Sequence, residues 1–216
     1  MFETEADLVE FFINKRKSKN TKIITELETN FGRPDIVVIK FDPTILSERR
    51  RGIYDIKFKR IHSYVLSYLY GKSWVKMDSL NKFFCYPEKR ILSLLLEMEN
   101  MHLIKIKGHL VKSYPAKELL VIKSISTVEA KLTNWKYVID QAERHLWFTN
   151  DSYVLLPRLS EATIHKSYEK CLKTGVGMYI ADDKNLSCEL KPVKRGKLIN
   201  TPLLWEINEK IVLGEY

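Results

Sequence analysis

The sequence predicts an α/β fold in which helices cover a mixed β-sheet and a small domain interrupts the chain. Three observations support this prediction. After residue 118, short apolar segments alternate with amphipathic helical segments, which is the pattern of β-α-β units. Residues 53–117 instead show three helical segments and a short hairpin pattern. Most of the excess positive charge lies in that same stretch.

The first 42 residues predict a helix followed by a β-hairpin. A helix is expected over residues 3–17, with Thr4 as its N-cap and Asp7 at the capping-box position. Strands are expected over residues 22–29 and 35–41, because β-branched side chains dominate both segments and a Gly-Arg-Pro turn separates them. Residues 43–52 are polar and basic and are predicted to be a linker.

Residues 53–117 predict a winged helix-turn-helix. Helices are expected over residues 56–70, 78–84 and 87–101, and a hairpin over 103–107 and 110–113. That order is typical of winged helix-turn-helix domains. The DNA-binding residues would then be Lys89 and Arg90 at the start of the recognition helix and Lys105 and Lys107 on the wing. The alternative is a small helical domain whose basic residues are merely solvated.

The charge distribution supports a polyanionic partner. Residues 56–118 contain 12 Lys and Arg against 5 Asp and Glu, which gives +7 of the formal net charge of +9 for the 216-residue chain. The remaining residues are nearly neutral, which suggests that the two parts have different tasks.

The rest of the composition excludes several classes of protein. At 45% hydrophobic residues the chain can bury a core, and no apolar run approaches the ~20 residues of a membrane helix. The acidic N-terminus is not that of a signal peptide. Three widely spaced cysteines predict neither a disulfide framework nor a zinc site, so a cytoplasmic protein is expected.

The C-terminal part returns to alternating strands and helices. Strands are expected over residues 118–124, 127–132, 152–156 and 176–181, and helices over 134–148 and 162–173. The predicted domains are a discontinuous core, residues 1–52 plus 118–216, and an inserted domain, residues 53–117.

A candidate catalytic centre combines residues from the two halves of the core. Glu129 and Lys131 project from the same face if they lie on one strand, and Asp35 begins a strand that can lie beside them. Two carboxylates and the backbone carbonyl of Ala130 are hard oxygen ligands suited to Mg²⁺. A lysine next to such a metal can help to deprotonate a water and stabilise charge on a phosphate. This arrangement is suited to phosphodiester hydrolysis.

A second acid-x-Lys pair, Asp55 and Lys57, competes with Glu129 and Lys131. It lies only 20 residues after Asp35. The basic helical segment follows it, without a β-α-β continuation, so Glu129 and Lys131 are preferred.

The segments GRPDIVV, VEAKL, NWKYVIDQA, SYVLLP and GVGMYIAD together resemble the PD-(D/E)xK superfamily, which has the restriction-endonuclease-like fold. The similarity covers about half of the chain. It implies a Mg²⁺-dependent DNA-cleaving centre, with Mn²⁺ as a possible substitute metal. Asp35 and Glu129 would be ligands and Lys131 the catalytic lysine.

The resemblance implies further site residues and also shows two departures. Glu5 matches the acid that members often carry on the first helix, with Glu10 as second choice, and Gln141 matches a glutamine near the lysine. His145 stands where some subfamilies have tyrosine. The 93 residues between Asp35 and Glu129 form an unusually long interval, for which an inserted domain accounts. Many members cut both strands as homodimers.

The sequence thus predicts a metal-dependent DNA endonuclease that binds DNA largely through its basic insert. The alternative is a non-catalytic DNA-binding regulator that retains the fold as a scaffold. A protein–protein adaptor accounts poorly for the concentrated charge. The sequence does not indicate which DNA is the substrate.

Overall fold

The computed structural model describes residues 2–51, 57–193 and 196–216. The helices are α1 Glu5–Arg16, α2 Pro43–Arg51, α3 Arg60–Leu69, α4 Met77–Phe84, α5 Glu88–Asn100, α6 Ala116–Leu119, α7 Trp135–His145, α8 Glu161–Thr174 and α9 Pro202–Leu213. The strands are β1 Thr21–Thr25, β2 Ile36–Phe41, β3 Val75–Lys76, β4 Ile104–Lys107, β5 Leu110–Ser113, β6 Ile122–Ala130, β7 Asp151–Pro157, β8 Gly177–Ala181 and β9 Leu186–Leu190. The chain divides into two compact units. Unit 1 consists of Met1–Phe41 and Ile122–Ile199, and unit 2 consists of Asp42–Val121 and Asn200–Tyr216.

Unit 1 is a six-stranded mixed sheet with helices on both faces. The strand order is β1-β2-β6-β7-β8-β9. The three strands β6, β7 and β8 are parallel, and the other neighbours pair antiparallel. Apolar residues of α1 pack on one face and those of α7 and α8 on the other. The predicted mixed α/β fold is therefore confirmed.

Local signals explain where the elements of unit 1 begin. Thr4 and Asp7 form the expected capping box, in which each side chain bonds the other residue's backbone N–H. In contrast, the two strands predicted over residues 118–124 and 127–132 are replaced by one continuous strand, β6, over Ile122–Ala130. The prediction is wrong for residues 118–119, which end the helix α6 that follows Pro115. Residues 122–128 of β6 pair with β2, and residues 126–130 pair with β7. The pairing of β6 with its neighbours therefore continues through residues 125–126.

Unit 2 is built around α3, α4 and α5. Their apolar faces share one core with the three-stranded sheet, whose order is β3-β5-β4 and whose neighbours are antiparallel. Trp205 of α9 lies in the same core and is 1% exposed. The hairpin β4–β5 agrees with the predicted one, whereas the two-residue strand β3 was not predicted.

The predicted linker over residues 43–52 is wrong for most of its length, because Pro43–Arg51 is the helix α2. Asp42 accepts hydrogen bonds from the backbone N–H groups of Thr44 and Ile45, and Pro43 occupies the first helical position. Leu46 is buried, so the helix packs on the unit. A cap and a proline at N1 therefore outweigh the basic composition of the segment.

The bounds of the two units differ from those predicted. The prediction assigned residues 43–52 and 200–216 to the nuclease-like core, but α2 and α9 lie in unit 2. Arg49 of α2 pairs with Glu209 of α9 at 2.8 Å, and Arg49 also donates to the carbonyl of Leu119 at 2.6 Å. In the part of the chain that is described, no helix has the length and apolarity needed to cross a bilayer.

Candidate active site

Asp35 and Ala130 meet at one end of the sheet. Asp35 directly precedes β2, and β2 runs antiparallel to β6 with Ile36 opposite Val128. This register brings the start of β2 beside the end of β6. Asp35 Oδ2 accepts a hydrogen bond from the backbone N–H of Ala130 at 2.7 Å. The predicted proximity of Asp35 to the Glu129 strand is therefore present.

Glu129 is the most buried carboxyl of this end of the sheet. Its side chain is 2% exposed and makes a hydrogen bond with the Asp35 side chain. Burial, followed by the negative charge of Asp35 and that hydrogen bond, raises the pKa of Glu129 to about 8. Glu129 therefore keeps a proton at neutral pH when no cation is present.

Lys131 follows the last residue of β6 and contacts α1, whereas Glu129 contacts α7 on the other face of the sheet. The predicted common face of Glu129 and Lys131 is therefore wrong, because the strand ends before Lys131. The Nζ atom of Lys131 lies 2.5 Å from Oε2 of Glu5, which is in the first turn of α1. The hydrogen bond that Lys131 donates to Glu5 raises the pKa of Lys131, with smaller contributions from Asp35 and Glu129. Glu5, and not Glu10, is thus the acid of α1 that contacts the predicted lysine.

His145 also reaches Glu129, which the sequence did not predict. His145 Nε2 lies 3.1 Å from Glu129 Oε1, and each side chain is 2% exposed. Burial lowers the pKa of His145 to about 4, with a smaller effect from Arg144, so the imidazole is neutral near pH 7. The only available signal was that His145 follows Gln141 by four residues and so shares its face of the helix.

Gln141 lies on α7, four residues before His145. Its Oε1 atom is buried and has no hydrogen-bond partner within the described residues, and the same is true of Glu129 Oε1 and His145 Nδ1. Unsatisfied buried polar atoms are uncommon in proteins. Three such atoms lie on β6 and α7, which pack against each other. This part of unit 1 therefore contains more polar atoms than packing of the core requires.

The donor set can be compared with that of a metal site. In the described ranges no group of three or more His, Cys, Asp or Glu side chains is arranged to hold an ion. However, Asp35 and Glu129 are hydrogen-bonded carboxyls that share a proton because two like charges repel each other at short range. A divalent cation would replace that proton, and carboxylate oxygens are the ligands that Mg²⁺ prefers. Asp35 and Glu129 thus offer two oxygen ligands of the kind that Mg²⁺ binds.

The predicted DNA-binding residues form an exposed basic surface on unit 2. Lys89 and Arg90 lie in the first turn of α5, and Lys105 and Lys107 alternate along β4 on its exposed side. Lys105 stands directly opposite Lys112 of β5. Like charges directly opposite each other in a sheet are destabilising, so this pair favours a bound anion.

The competing pair Asp55 and Lys57 cannot be compared with this site, because Asp55 lies outside the described residues.

Comparison with known proteins gives no relative from which a function could be transferred. No family model matches the chain, and no curated protein or solved structure gives a significant match.

Proposed function

We propose that this protein is a Mg²⁺-dependent DNA endonuclease with a restriction-endonuclease-like PD-(D/E)xK core in unit 1. The observation that carries the proposal is the convergence of Asp35, Glu129 and Lys131 at one end of the sheet. Glu5 joins them through its contact with Lys131. The order of elements in unit 1, a helix and a hairpin followed by β6-α7-β7-α8-β8, is the one that the resemblance implies.

Asp35 and Glu129 would hold the metal, together with the backbone carbonyl of Ala130. When bound, Mg²⁺ would polarise a phosphodiester and lower the pKa of a bound water. The bond from Ala130 N–H fixes Asp35 to the strand that carries Glu129, so the two carboxyls keep their separation. Preorganised charges of this kind cost no rearrangement when the substrate reacts.

Lys131 would stabilise the negative charge that develops on the phosphate. Glu5 keeps its amine protonated and directs it, since the ion pair raises the pKa of Lys131. Glu129 is limited to few orientations because His145 lies against one of its oxygens inside the fold. Gln141, on the same face of α7 as His145, is proposed to orient a substrate or solvent group through its unpaired oxygen.

Unit 2 is proposed to be a winged helix-turn-helix that binds DNA. Its element order α3-β3-α4-α5-β4-β5, with the three strands in one antiparallel sheet, supports this proposal. Cations at the start of α5 and along β4 are suited to phosphates that flank a groove. Cleavage of both strands would need two active sites, which a homodimer would supply.

A non-catalytic DNA-binding regulator is the second candidate function. Two observations favour it: no group of three ligating side chains occurs among the described residues, and Glu129 holds a proton at neutral pH. In that case the carboxyl pair would be a structural hydrogen bond. The endonuclease would cleave DNA and depend on Lys131 for it, whereas the regulator would bind DNA without cleaving it.

The test is cleavage of supercoiled, linear and branched DNA with Mg²⁺ or Mn²⁺. We expect Lys131→Ala to lose about 10²-fold or more of the cleavage rate while binding DNA within a few-fold of the wild type, because this amine acts mainly in the transition state. Lys57→Ala is the matched control, since it removes the lysine of the competing pair, and it should cleave normally. DNA binding without cleavage by the wild type under every condition would establish the regulator instead.

A further inference from the structure

A second polar cavity of unit 1 lies apart from the candidate active site. It occupies about 320 Å³ on the face of the sheet that α1 covers. Lys40 and Ser124, which pair across β2 and β6, lie in its lining. Lys40 is five residues from Asp35, or about 17 Å along the strand. The cavity volume is at the lower end of the range for small-molecule sites.

Four cationic side chains line the cavity, of which Arg16 bonds the Tyr179 hydroxyl and Lys17 bonds Oδ1 of Asn14. Lys15, Arg16, Lys17 and Lys40 contribute to its wall, and Asp151 is the carboxylate in the lining. Among the described residues no carboxylate lies within 4.0 Å of any of these four cations, so they form no ion pair there. Cations in the last turn of α1 are suited to its helix dipole. That explanation does not apply to Lys40, which comes from β2.

Hydroxyl groups complete the polar part of the wall. Thr21 of β1 and Ser124 and Ser126 of β6 line the cavity and are only partly exposed. Hydroxyls can donate hydrogen bonds to phosphate oxygens, and the cations can neutralise its charge. The combination is therefore suited to a phosphate group.

The floor of the cavity is aromatic. The rings of Tyr153 and Tyr179 stack with their centroids 4.7 Å apart, and Arg16 donates a hydrogen bond to the Tyr179 hydroxyl. The ring of Tyr153 lies over Gly177, where a Cβ atom would come within 2.4 Å of it. Glycine at this position is what leaves room for the ring. Tyr179 is 7% exposed and Tyr153 is half-buried, so the exposed part of the Tyr153 ring is the aromatic surface that a ligand can contact.

We propose that this cavity binds a nucleotide, with the phosphate on the cations and the base against the tyrosines. Asp151 would accept a hydrogen bond from an amino or hydroxyl group of the ligand, which inorganic phosphate lacks. The same chemistry occurs in a free nucleotide and in the phosphorylated end of a nucleic-acid strand. This proposal does not depend on cleavage or on a metal.

The full-length protein tests the proposal by titration calorimetry in EDTA, with 5′-dAMP, inorganic phosphate and deoxyadenosine as probes. We expect 5′-dAMP to bind at least tenfold more tightly than either of the other two. Lys15→Gln and Lys40→Gln should each weaken it about fivefold or more, and both lysines are exposed, so folding is preserved. Lys22→Gln is the matched control, because Lys22 follows Thr21 on β1 and faces the other side of the sheet.

A second arm identifies the source of the phosphate. A single-stranded oligonucleotide with a 5′-phosphate is compared with the same strand ending in a 5′-hydroxyl, in the wild type and in Lys40→Gln. If the phosphorylated strand binds more tightly and Lys40→Gln removes the difference, the ligand is the end of a nucleic-acid strand. If the two strands bind equally and 5′-dAMP still binds, the ligand is a free nucleotide. Lys22→Gln should leave both arms unchanged, and EDTA excludes a contribution from metal bound at the nuclease site.

Three results would overturn the proposal. One is no binding of 5′-dAMP and no advantage of the phosphorylated strand. Another is binding that Lys15→Gln and Lys40→Gln leave unaffected. The third is equal affinity for inorganic phosphate and 5′-dAMP, because the tyrosines and Asp151 would then have no role in binding.

Discussion

Asp35 accepts a hydrogen bond from the backbone of Ala130, which lies 95 positions further along the chain. The bond joins the start of β2 to the end of β6 and holds the carboxyl of Asp35 against that of Glu129. Two acids at this distance cannot both ionise freely, so one of them keeps a proton or the pair binds a cation. The first two predictions concern this pair of carboxyls.

The first prediction concerns the stability of the metal-free protein. Because the pKa of Glu129 is raised to about 8 in the folded state from 4.5, the folded state binds more protons between these values, and stability falls as the pH rises. His145, with its pKa lowered to about 4, acts in the opposite direction, but only up to about pH 6.5. Because Glu129 is still about half protonated at pH 8, the wild type should lose about 1 kcal/mol of unfolding free energy between pH 6.5 and 8.

Urea denaturation in EDTA at the two pH values measures this loss. Glu129→Gln has the same shape and cannot ionise, so it should lose much less than the wild type. Glu10→Gln, which neutralises an exposed acid of α1, should behave like the wild type. Equal losses in all three proteins would show that Glu129 ionises normally.

The second prediction concerns metal binding. Mg²⁺ or Mn²⁺ should bind unit 1 and stabilise the folded state by mass action. Calorimetry should show that Asp35→Asn and Glu129→Gln each weaken this binding tenfold or more, since each removes a charged ligand. Asp35→Asn is preferred to alanine because the amide oxygen can still accept the Ala130 bond. Glu10→Gln again provides the control, and unchanged affinity in both site variants would remove the proposed metal site.

The third prediction concerns DNA affinity. Lys89→Ala combined with Arg90→Ala should weaken DNA binding and reduce the slope of log affinity against log salt by about two units at most, because each phosphate contact releases counterions. Fluorescence anisotropy at several salt concentrations measures the slope. The double variant Lys166→Ala with Lys173→Ala removes the same charge from exposed positions of α8 and should keep the wild-type slope. A reduced slope in both double variants would mean that the effect is one of net charge alone.

Local patterns were sufficient to predict much of the fold. The capping box placed the start of α1, and the buried apolar runs of β7 and β8 together with the helices α7 and α8 predicted the β-α-β arrangement. In contrast, β9 was missed because most of its residues are exposed and show no alternation, and β3 is too short to give a pattern. Edge strands owe their position to a neighbour that the local sequence does not specify.

The site was predicted in part for a related reason. The spacing of Glu129 and Lys131 and the position of Asp35 before a strand predicted that these residues lie near one another, and the resemblance added Glu5, which contacts Lys131. The contact of His145 with Glu129 depends on how α7 packs on β6, and no local pattern encodes that. The nucleotide cavity likewise depends on cations from α1 and β2 that only the folded chain brings together.

The helix α9 was not predicted because its polar residues face inward. Asn208 and Glu209 are buried together with Trp205 and Ile207, so the helix shows no polar stripe. Thr201 and Pro202 at its start and Gly214 at its end were the available signals.

The last prediction tests whether α9 is an integral part of unit 2. Asn208 is fully buried; its Oδ1 accepts from the N–H of Val121 at 2.9 Å, and its amide donates to the carbonyl of Leu119 at 3.0 Å. Asn208→Ala leaves the buried N–H of Val121 without its partner, whereas the carbonyl of Leu119 keeps its bond from Arg49. An unsatisfied buried donor costs about 1–3 kcal/mol. Urea denaturation should show that loss for unit 2. Glu206→Ala breaks only the partly exposed pair with Lys210 on the same helix, so its loss should stay below about 1 kcal/mol. If both variants are equally stable, α9 does not support unit 2 through Asn208.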